Sequence, residues 1–330
     1  MLTTIVPNFN HAKFLPESLS SLIAQSRPTD ELIVIDDDST DGSVDIISSF
    51  LPRQPNARLI RNARNQGCNA NLNNGLRIAR GDFIHFAAAD DLFDSSLYAK
   101  GVAMLEKYGE AAIFSARSEV IDGAGHKLHQ ATPRPRYPLA EPGYISPPKA
   151  SQNLMREDSW FMGNTVIYRT SLLREQGGFP EELFSFADGF MCRLLALKYG
   201  ACFTPEILGS WRRLEHGMAS SAIANLGGAS AYIAATEVKM LAPGTAFPAE
   251  YVRRWRGRQH FGIRRQRIAR QRSSPSADVP TSIWRRLRDG AHVAWLALRW
   301  RPWDLGRYSV LYTVRRLREP GWLLSRTLER

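Results

Sequence analysis

Residues 81–93 read GDFIHFAAADDLF. Phe83 to Ala88 suits a buried strand, yet the run stops at two adjacent carboxylates, Asp90 and Asp91. Side by side they repel, so this strand end is a place where a positive partner is wanted. The same grammar runs outward from it. LTTIV ends in Pro7 and Asn8, and ELIVI ends in Asp36–Asp38. Between these runs, Leu15, Leu19, Leu22 and Ile23 recur at helical spacing, and Leu72, Leu76 and Ala79 share one helical face. Strand, helix, strand, helix predicts right-handed βαβ units and a parallel sheet. Such sheets bind ligands beyond the carboxyl ends of their strands, where the polar residues cluster here.

Composition narrows the class. The chain has 330 residues, 44% hydrophobic and 23% charged, ordinary for a globular protein with a full core. MLTTIVPNFN lacks a basic n-region and breaks at Pro7, so it does not read as a signal peptide. No apolar run approaches the length of a membrane-spanning helix. Cys68, Cys192 and Cys202 lack C-x-x-C spacing and suit a reduced cytoplasm better than a disulfide scaffold or zinc ribbon.

The first βα turn, VPNFNHAKF, contains no glycine, and no G-x-x-x-x-G-K-[ST] occurs. A dinucleotide fingerprint and a P-loop are therefore excluded. A phosphate ligand at this rim needs another neutraliser. A divalent cation held by carboxylates supplies one, since Mg²⁺ and Mn²⁺ take oxygen ligands and substrate phosphates complete their shell.

Four ordered segments carry a resemblance. They are TIVPNFNHAKFLPESLSSLIAQS, ELIVIDDDSTDGS, NQGCNANLNNGLRIARGDFIHFAAADD and MGNTVIYRTSLLREQGGFPEELFSFADGFMCRLLALKYG. Together, over about residues 1–220, they resemble the family-2 glycosyltransferases of GT-A fold. The resemblance implies a Rossmann-like, mostly parallel central sheet flanked by helices. It implies a metal-dependent, inverting transfer of a sugar, with Mg²⁺ or Mn²⁺, from a nucleotide-sugar (a UDP-sugar foremost) to a hydroxyl of a glycan or lipid-linked acceptor in cell-surface polysaccharide synthesis. Carried over by residue, Pro7, Phe9 and Asp37 form a nucleobase pocket, and Asp90 faces the ribose or the metal. Asp91 and His216 hold the metal, and Asp188 is the catalytic base. Four positions depart from the family pattern: Ala88 for the first Asp of D-x-D-D, Ala187 for the Glu before the base, Leu72 for an Arg and Asp38 for a Gly.

Plainer readings stand beside these. Asp90–Asp91 and Asp188 suit helix caps, Asp36–Asp38 a turn, Phe9 the core and His216 the surface. His11, His85, His126 and His129 read as structural or exposed. The departures keep open a non-catalytic nucleotide-sugar-binding or scaffold protein with the same fold.

The net charge of +11 is unevenly spread. Residues 251–330 hold 20 Arg, no Lys and five acidic residues, and six of the eight Trp. The predicted organisation is a catalytic domain, 1–220, with a nucleotide-sugar half (1–110) and an acceptor half (111–220), followed by a basic, mainly helical region, 221–330. Arg attracts anionic lipid and Trp settles at headgroup depth, so this region suits a membrane surface, with the protein peripheral on the cytoplasmic face of the inner membrane. No nucleic-acid-binding motif accompanies the charge, and no nucleic-acid partner is expected. The acceptor is expected to meet residues 130–165, rich in Pro and aromatics.

Overall fold

The structure is a computed structural model and describes residues 1–128, 137–158, 160–214 and 226–273. Three apolar runs become the inner strands β1 (Leu2–Asn8), β2 (Glu31–Asp36) and β4 (Phe83–Phe86); β3 (Ala57–Arg61) lies outside β2. β1 is parallel to both β2 and β4, and β2 to β3. Successive side chains alternate between two cores. Ile5, Ile33 and Ile35 enter one, and Val6, Leu32 and Val34 the other. Burial on both faces is why these strands read as continuous apolar runs instead of alternating ones. Each such aliphatic contributes about 1.5–3 kcal/mol on full burial.

The helices sort by the same rule. α1 (Leu15–Ile23), α2 (Ser43–Phe50) and α4 (Leu97–Lys107) pack into the second core through Leu15, Leu19, Leu22, Ile47 and Leu97. α3 (Cys68–Ile78) packs into the first through Leu72 and Leu76. Gly75 lets α3 lie close on β1, because a Cβ there would stand 2.7 Å from Ile5 Cγ2.

The second half of the sheet is mixed. β5 (Leu92–Phe93), β6 (Ile113–Ile121), β7 (Gly143–Ile145), β8 (Ile167–Arg169) and β9 (Ala201–Arg212) complete the order β3-β2-β1-β4-β8-β6-β9-β5 among the described residues, with β7 beside β9. β8 is antiparallel to both β4 and β6, while β6 and β9 run parallel. α5 (Pro147–Arg156), α6 (Thr170–Glu175) and α7 (Ala187–Tyr199) connect them, and α8 (Leu226–Met240) and α9 (Ala249–Ser273) follow. The expected α/β architecture with a mostly parallel central sheet is the one observed.

Met1–Ile263 forms one compact unit. It includes the start of the Arg-dense segment: Tyr251, Val252 and Trp255 of α9 are buried in the first core. No helix among the described residues is long and apolar enough to cross a membrane.

Candidate active site

The parallel strands β1, β2 and β4 deliver Asn8–Asn10, Asp36–Asp38 and Asp90–Asp91 to one edge of the sheet. The first two turns are laced together. Asn8 Nδ2 donates to Asp36 Oδ1 at 2.8 Å, and Thr40 N donates to Asn10 Oδ1 at 2.8 Å. Ala12 N donates to Asp41 Oδ2 at 2.8 Å. Asn10 and Asp38 adopt positive φ, 56° and 67°. Asp38 thus occupies a left-handed position that suits the glycine of the family pattern, and Asp tolerates it better than most residues. This lacing leaves Phe9 projecting at 44% exposure, so it is not a core residue, while Pro7 is half-buried.

Asp37 is 2% exposed. Its Oδ1 accepts from Asn62 Nδ2 at 2.7 Å and Gln66 N at 2.9 Å, and its Oδ2 from Gly67 N at 2.9 Å. Burial pushes this carboxyl up, but hydrogen bonds from Asn62, Gln66, Asn71 and Gly67 outweigh it and hold it below its ordinary value. Gly67, at φ 89°, brings the chain into α3 immediately afterwards. Asp37 therefore ties the end of β2 to the start of α3, which is more than a plain turn requires.

The β4 end is built differently. Pairing to β1 continues through Ala87 N, which donates to Ile5 O at 2.8 Å, and the chain then turns, with Ser18 Oγ donating to Ala88 O. The strand is therefore shorter than Phe83–Ala88. Asp90 and Asp91 do not cap the next helix: the N-cap of α4 is Ser96, whose backbone N donates to Asp94 Oδ1 at 2.9 Å. Asp91 is 2% exposed and Asp90 half-buried. Arg212, at the end of β9, holds this turn. Its backbone N donates to Asp91 Oδ1 at 2.7 Å and its Nε to Asp90 O at 2.7 Å, while Nη2 pairs with Glu17.

Both carboxyls are raised. Burial is the main cause for each; the charge of Asp90 adds to it at Asp91, while His11 and Arg212 oppose it only partly at Asp90. The protein thus gathers more negative charge here than it neutralises. Two hard-oxygen donors with that deficit fit a divalent cation. No group of three His, Cys, Asp or Glu side chains converges among the described residues. A Mg²⁺-type site needs only one or two carboxylates, with water or substrate oxygens completing the shell. His216 lies outside the described residues.

Asp188 sits in the first turn of α7, which begins at Ala187, so it is not the cap residue. Solvent reaches it although many protein atoms surround it, as for a residue lining a cleft. Burial raises its carboxyl, against Gly189 N–H and the charge of Arg193. Oδ1 accepts from Gly189 N at 2.6 Å. Oδ2 lies against Gly163, where a Cβ would stand only 2.9 Å away. Ala187, in place of a Glu, is fully buried in the core.

Cys68 joins the two sides. Its thiol is pushed up to about 12, by burial first and then by the charges of Asp188, Asp37 and Asp90. The start of α3 is thus within electrostatic reach of carboxylates from β2, the β4 turn and α7. The asparagines of α3 reinforce the arrangement. Asn69 Nδ2 donates to Phe184 O at 2.9 Å and Asn73 Nδ2 to Phe179 O at 2.8 Å, holding the segment that leads to Asp188. Of the histidines, His85 is buried between Tyr98 and the Asn164 carbonyl and His126 is exposed beside Asp122, both as expected. His11 instead lies half-buried near Asp90, and His129 is outside the described residues.

This clustering of carboxylates at the strand ends agrees with comparison to known proteins. The family profile described as Glycosyl transferase family 2 matches residues 3–175, more than half of the chain. The chain belongs to glycosyltransferase family 2. It is 31% identical over 179 residues to the putative glycosyltransferase EpsE of Bacillus subtilis, covering 54% of this chain and 59% of that protein. It is 33% identical over 97 residues to the poly(ribitol-phosphate) beta-glucosyltransferase of Bacillus spizizenii, covering 28% of this chain and 15% of that protein. The matched segments span 66%, 40% and 59% of the lengths of three curated relatives. Among solved structures, Staphylococcus aureus TarS 1–349 in complex with UDP-GlcNAc superposes with TM-score 0.65 at 19% identity, over 96% of this chain and 91% of that one. Mannosyltransferase PcManGT from Pyrobaculum calidifontis, in complex with GDP-Man and Mn²⁺, gives TM-score 0.57 at 20% identity, over 97% and 88%. The fold of this glycosyltransferase is GT-A.

Proposed function

We propose that this family-2 glycosyltransferase moves a sugar, with inversion, from a nucleotide-sugar to a hydroxyl of a glycan or lipid-linked acceptor in cell-surface polysaccharide synthesis. A UDP-sugar is the first choice of donor, because TarS is described with UDP-GlcNAc and with UDP. The observation that carries the reading is that β1, β2 and β4 bring Asn8–Asn10, Asp36–Asp38 and Asp90–Asp91 to one edge of the sheet, while Asn69 and Asn73 of α3 hold the segment leading to Asp188. This supports a donor half, 1–110, and an acceptor half, 111–220, acting together.

In this reading Phe9 offers a ring face to the base, Pro7 shapes the wall, and Asp37 holds the 62–67 loop and α3 beside the nucleotide. Asp91 and Asp90 would hold Mg²⁺ or Mn²⁺ on the diphosphate, and His216 is a further ligand candidate. When bound, the metal supplies positive charge to the leaving diphosphate. Asp188 takes the proton from the acceptor hydroxyl through the carboxylate oxygen beside Gly163. Its raised carboxyl makes it a stronger base than an ordinary Asp, and such a group is worth about 10²–10⁴-fold.

A thermal-shift panel of nucleotide diphosphates and nucleotide-sugars, with and without Mn²⁺, tests this. A ligand at about 100 times its Kd stabilises by about 2.7 kcal/mol. Metal-dependent stabilisation by one nucleotide, followed by donor turnover, is expected. No stabilisation by any nucleotide overturns the reading, and binding without turnover favours the non-catalytic alternative.

We also propose that the Arg/Trp-rich region brings the enzyme to the cytoplasmic face of the inner membrane. Because Tyr251, Val252 and Trp255 are core residues, the informative truncation ends at Ile263. It should fold and bind nucleotide yet no longer sediment with anionic vesicles; equal sedimentation with and without residues 264–330 overturns the proposal.

A further inference from the structure

Phe184 stands in a conformation that aromatic residues avoid. Its φ is 48° and its ψ −121°, inside the short turn Glu181–Phe186 that leads into α7. A non-glycine residue there is strained, and such strain persists only where the surroundings hold it. Two contacts do so. Asn69 Nδ2 donates to its carbonyl at 2.9 Å. Its ring stacks on Tyr232 of α8, with centroids 5.3 Å apart and planes 19° from parallel. The strain does not serve burial, because Phe184 remains 38% exposed.

The position matters as much as the strain. Phe184 precedes Asp188 by four residues. Asn69, which clamps it, lies two residues after Gly67, whose N–H donates to Asp37. Phe184 thus stands on the turn that leads into the helix of the candidate base and is tied to the start of α3. A pyranose has one face made largely of C–H bonds and a rim of hydroxyls. A flat, partly solvated aromatic face suits that C–H face, while a carboxylate nearby suits a rim hydroxyl.

We propose that Phe184, backed by Tyr232, is a stacking platform for the pyranose ring of the acceptor, setting which hydroxyl reaches Asp188. This deepens the proposed transferase reading and rests on it. It assigns to the strained turn a role in acceptor binding, distinct from the donor contact of Phe9.

The test uses the full chain and a panel of methyl pyranosides (gluco, galacto, manno and N-acetylgluco) as probes, read by saturation transfer from protein to sugar ring protons. Phe184→Gly is the informative variant: glycine accepts the backbone geometry, so the fold is not put at risk while the ring is removed. Phe184→Trp keeps an aromatic face. A UDP-sugar in separate samples of each protein reports on the donor site. At least one pyranoside should be saturated by the wild type. That signal should fall at least fivefold in Phe184→Gly and largely return in Phe184→Trp. The proposal is overturned if no pyranoside is saturated, if Phe184→Gly saturates them as wild type does, or if the variant loses UDP-sugar and pyranoside signals in equal measure, which would place the ring at the donor. Donor binding and hydrolysis without acceptor report separately on the transferase reading. A chain that handles nucleotide-sugar normally but ignores Phe184 loses only the platform.

Discussion

Asp37 and Asp91 stand at the ends of two strands that flank β1, and each is 2% exposed. Their environments are opposite. Asp37 is encircled by donors and its carboxyl is held low, whereas Asp91 has a like charge beside it and its carboxyl is driven up. Equal burial therefore carries different meanings. Asp37 is a finished structural joint, with its hydrogen bonds supplied by the protein. Asp91 is unfinished by comparison: burial first and then the charge of Asp90 drive its carboxyl up against the donors it has. In the proposed reading, Asp37 builds the site and Asp91 takes the metal.

The largest expected effect comes from the unfinished one. Asp91→Asn should abolish sugar transfer and the Mn²⁺-dependent part of UDP stabilisation, while the free protein keeps or gains thermal stability because a repulsion is removed. Unchanged Mn²⁺–UDP stabilisation in a melting experiment would show that Asp91 is a joint like Asp37.

Asp188 comes next. Asp188→Asn should lower kcat about 10²–10⁴-fold and leave UDP affinity in place. A base acts when deprotonated, and this carboxyl is raised by burial, so the wild-type rate should fall on the acid side at a pH above the ordinary carboxylate range. The variant's residual rate should lack that limb. A loss below tenfold with donor affinity unchanged would reject the assignment.

Asp37→Ala should act on stability first. It strands three donors, from Asn62, Gln66 and Gly67, at up to about 1–3 kcal/mol each. The two loop N–H groups can turn partly to water, so a total near 2 kcal/mol is expected by denaturant unfolding, with weaker nucleotide binding because α3 loses its tether. A change under about 0.5 kcal/mol, the size usual for surface substitutions, would mean the joint carries nothing.

What the sequence disclosed follows the same division. The strands were legible because burial on both faces makes them continuous apolar runs. The carboxylates were legible because they interrupt those runs. Arg212 was not: it acts through a backbone N–H and its Nε on residues more than a hundred positions away, and the two adjacent Arg of WRRLEH give no spacing signal that singles it out. Cys68, without C-x-x-C spacing, carries no sequence signal of its place at the start of α3. The departures from the family pattern were legible as differences but not in their consequence. Leu72 is packed in the apolar core and Asp38 accepts the left-handed backbone, so neither disturbs the rim.

The smallest effect separates the two carboxylates by pH alone. Asp37 has a folded-state carboxyl held below its unfolded value, so its hydrogen bonds contribute stability that is fully present above the unfolded value of 3.8 and is lost as pH falls through the lower, folded one. Between those two values the unfolded chain takes up the proton first, which draws the equilibrium toward unfolding. In Asp37→Asn this uptake is missing. The variant should therefore be less stable than wild type near neutrality, since the amide's NH₂ faces donors from Gln66 or Gly67, and the gap should narrow as the pH is lowered through the carboxylate range. Chemical unfolding of both proteins from pH 7 to pH 3 measures it. A gap that stays constant over that range would mean that Asp37 titrates alike in the folded and unfolded chains, and that its ring of donors is geometry without electrostatic consequence.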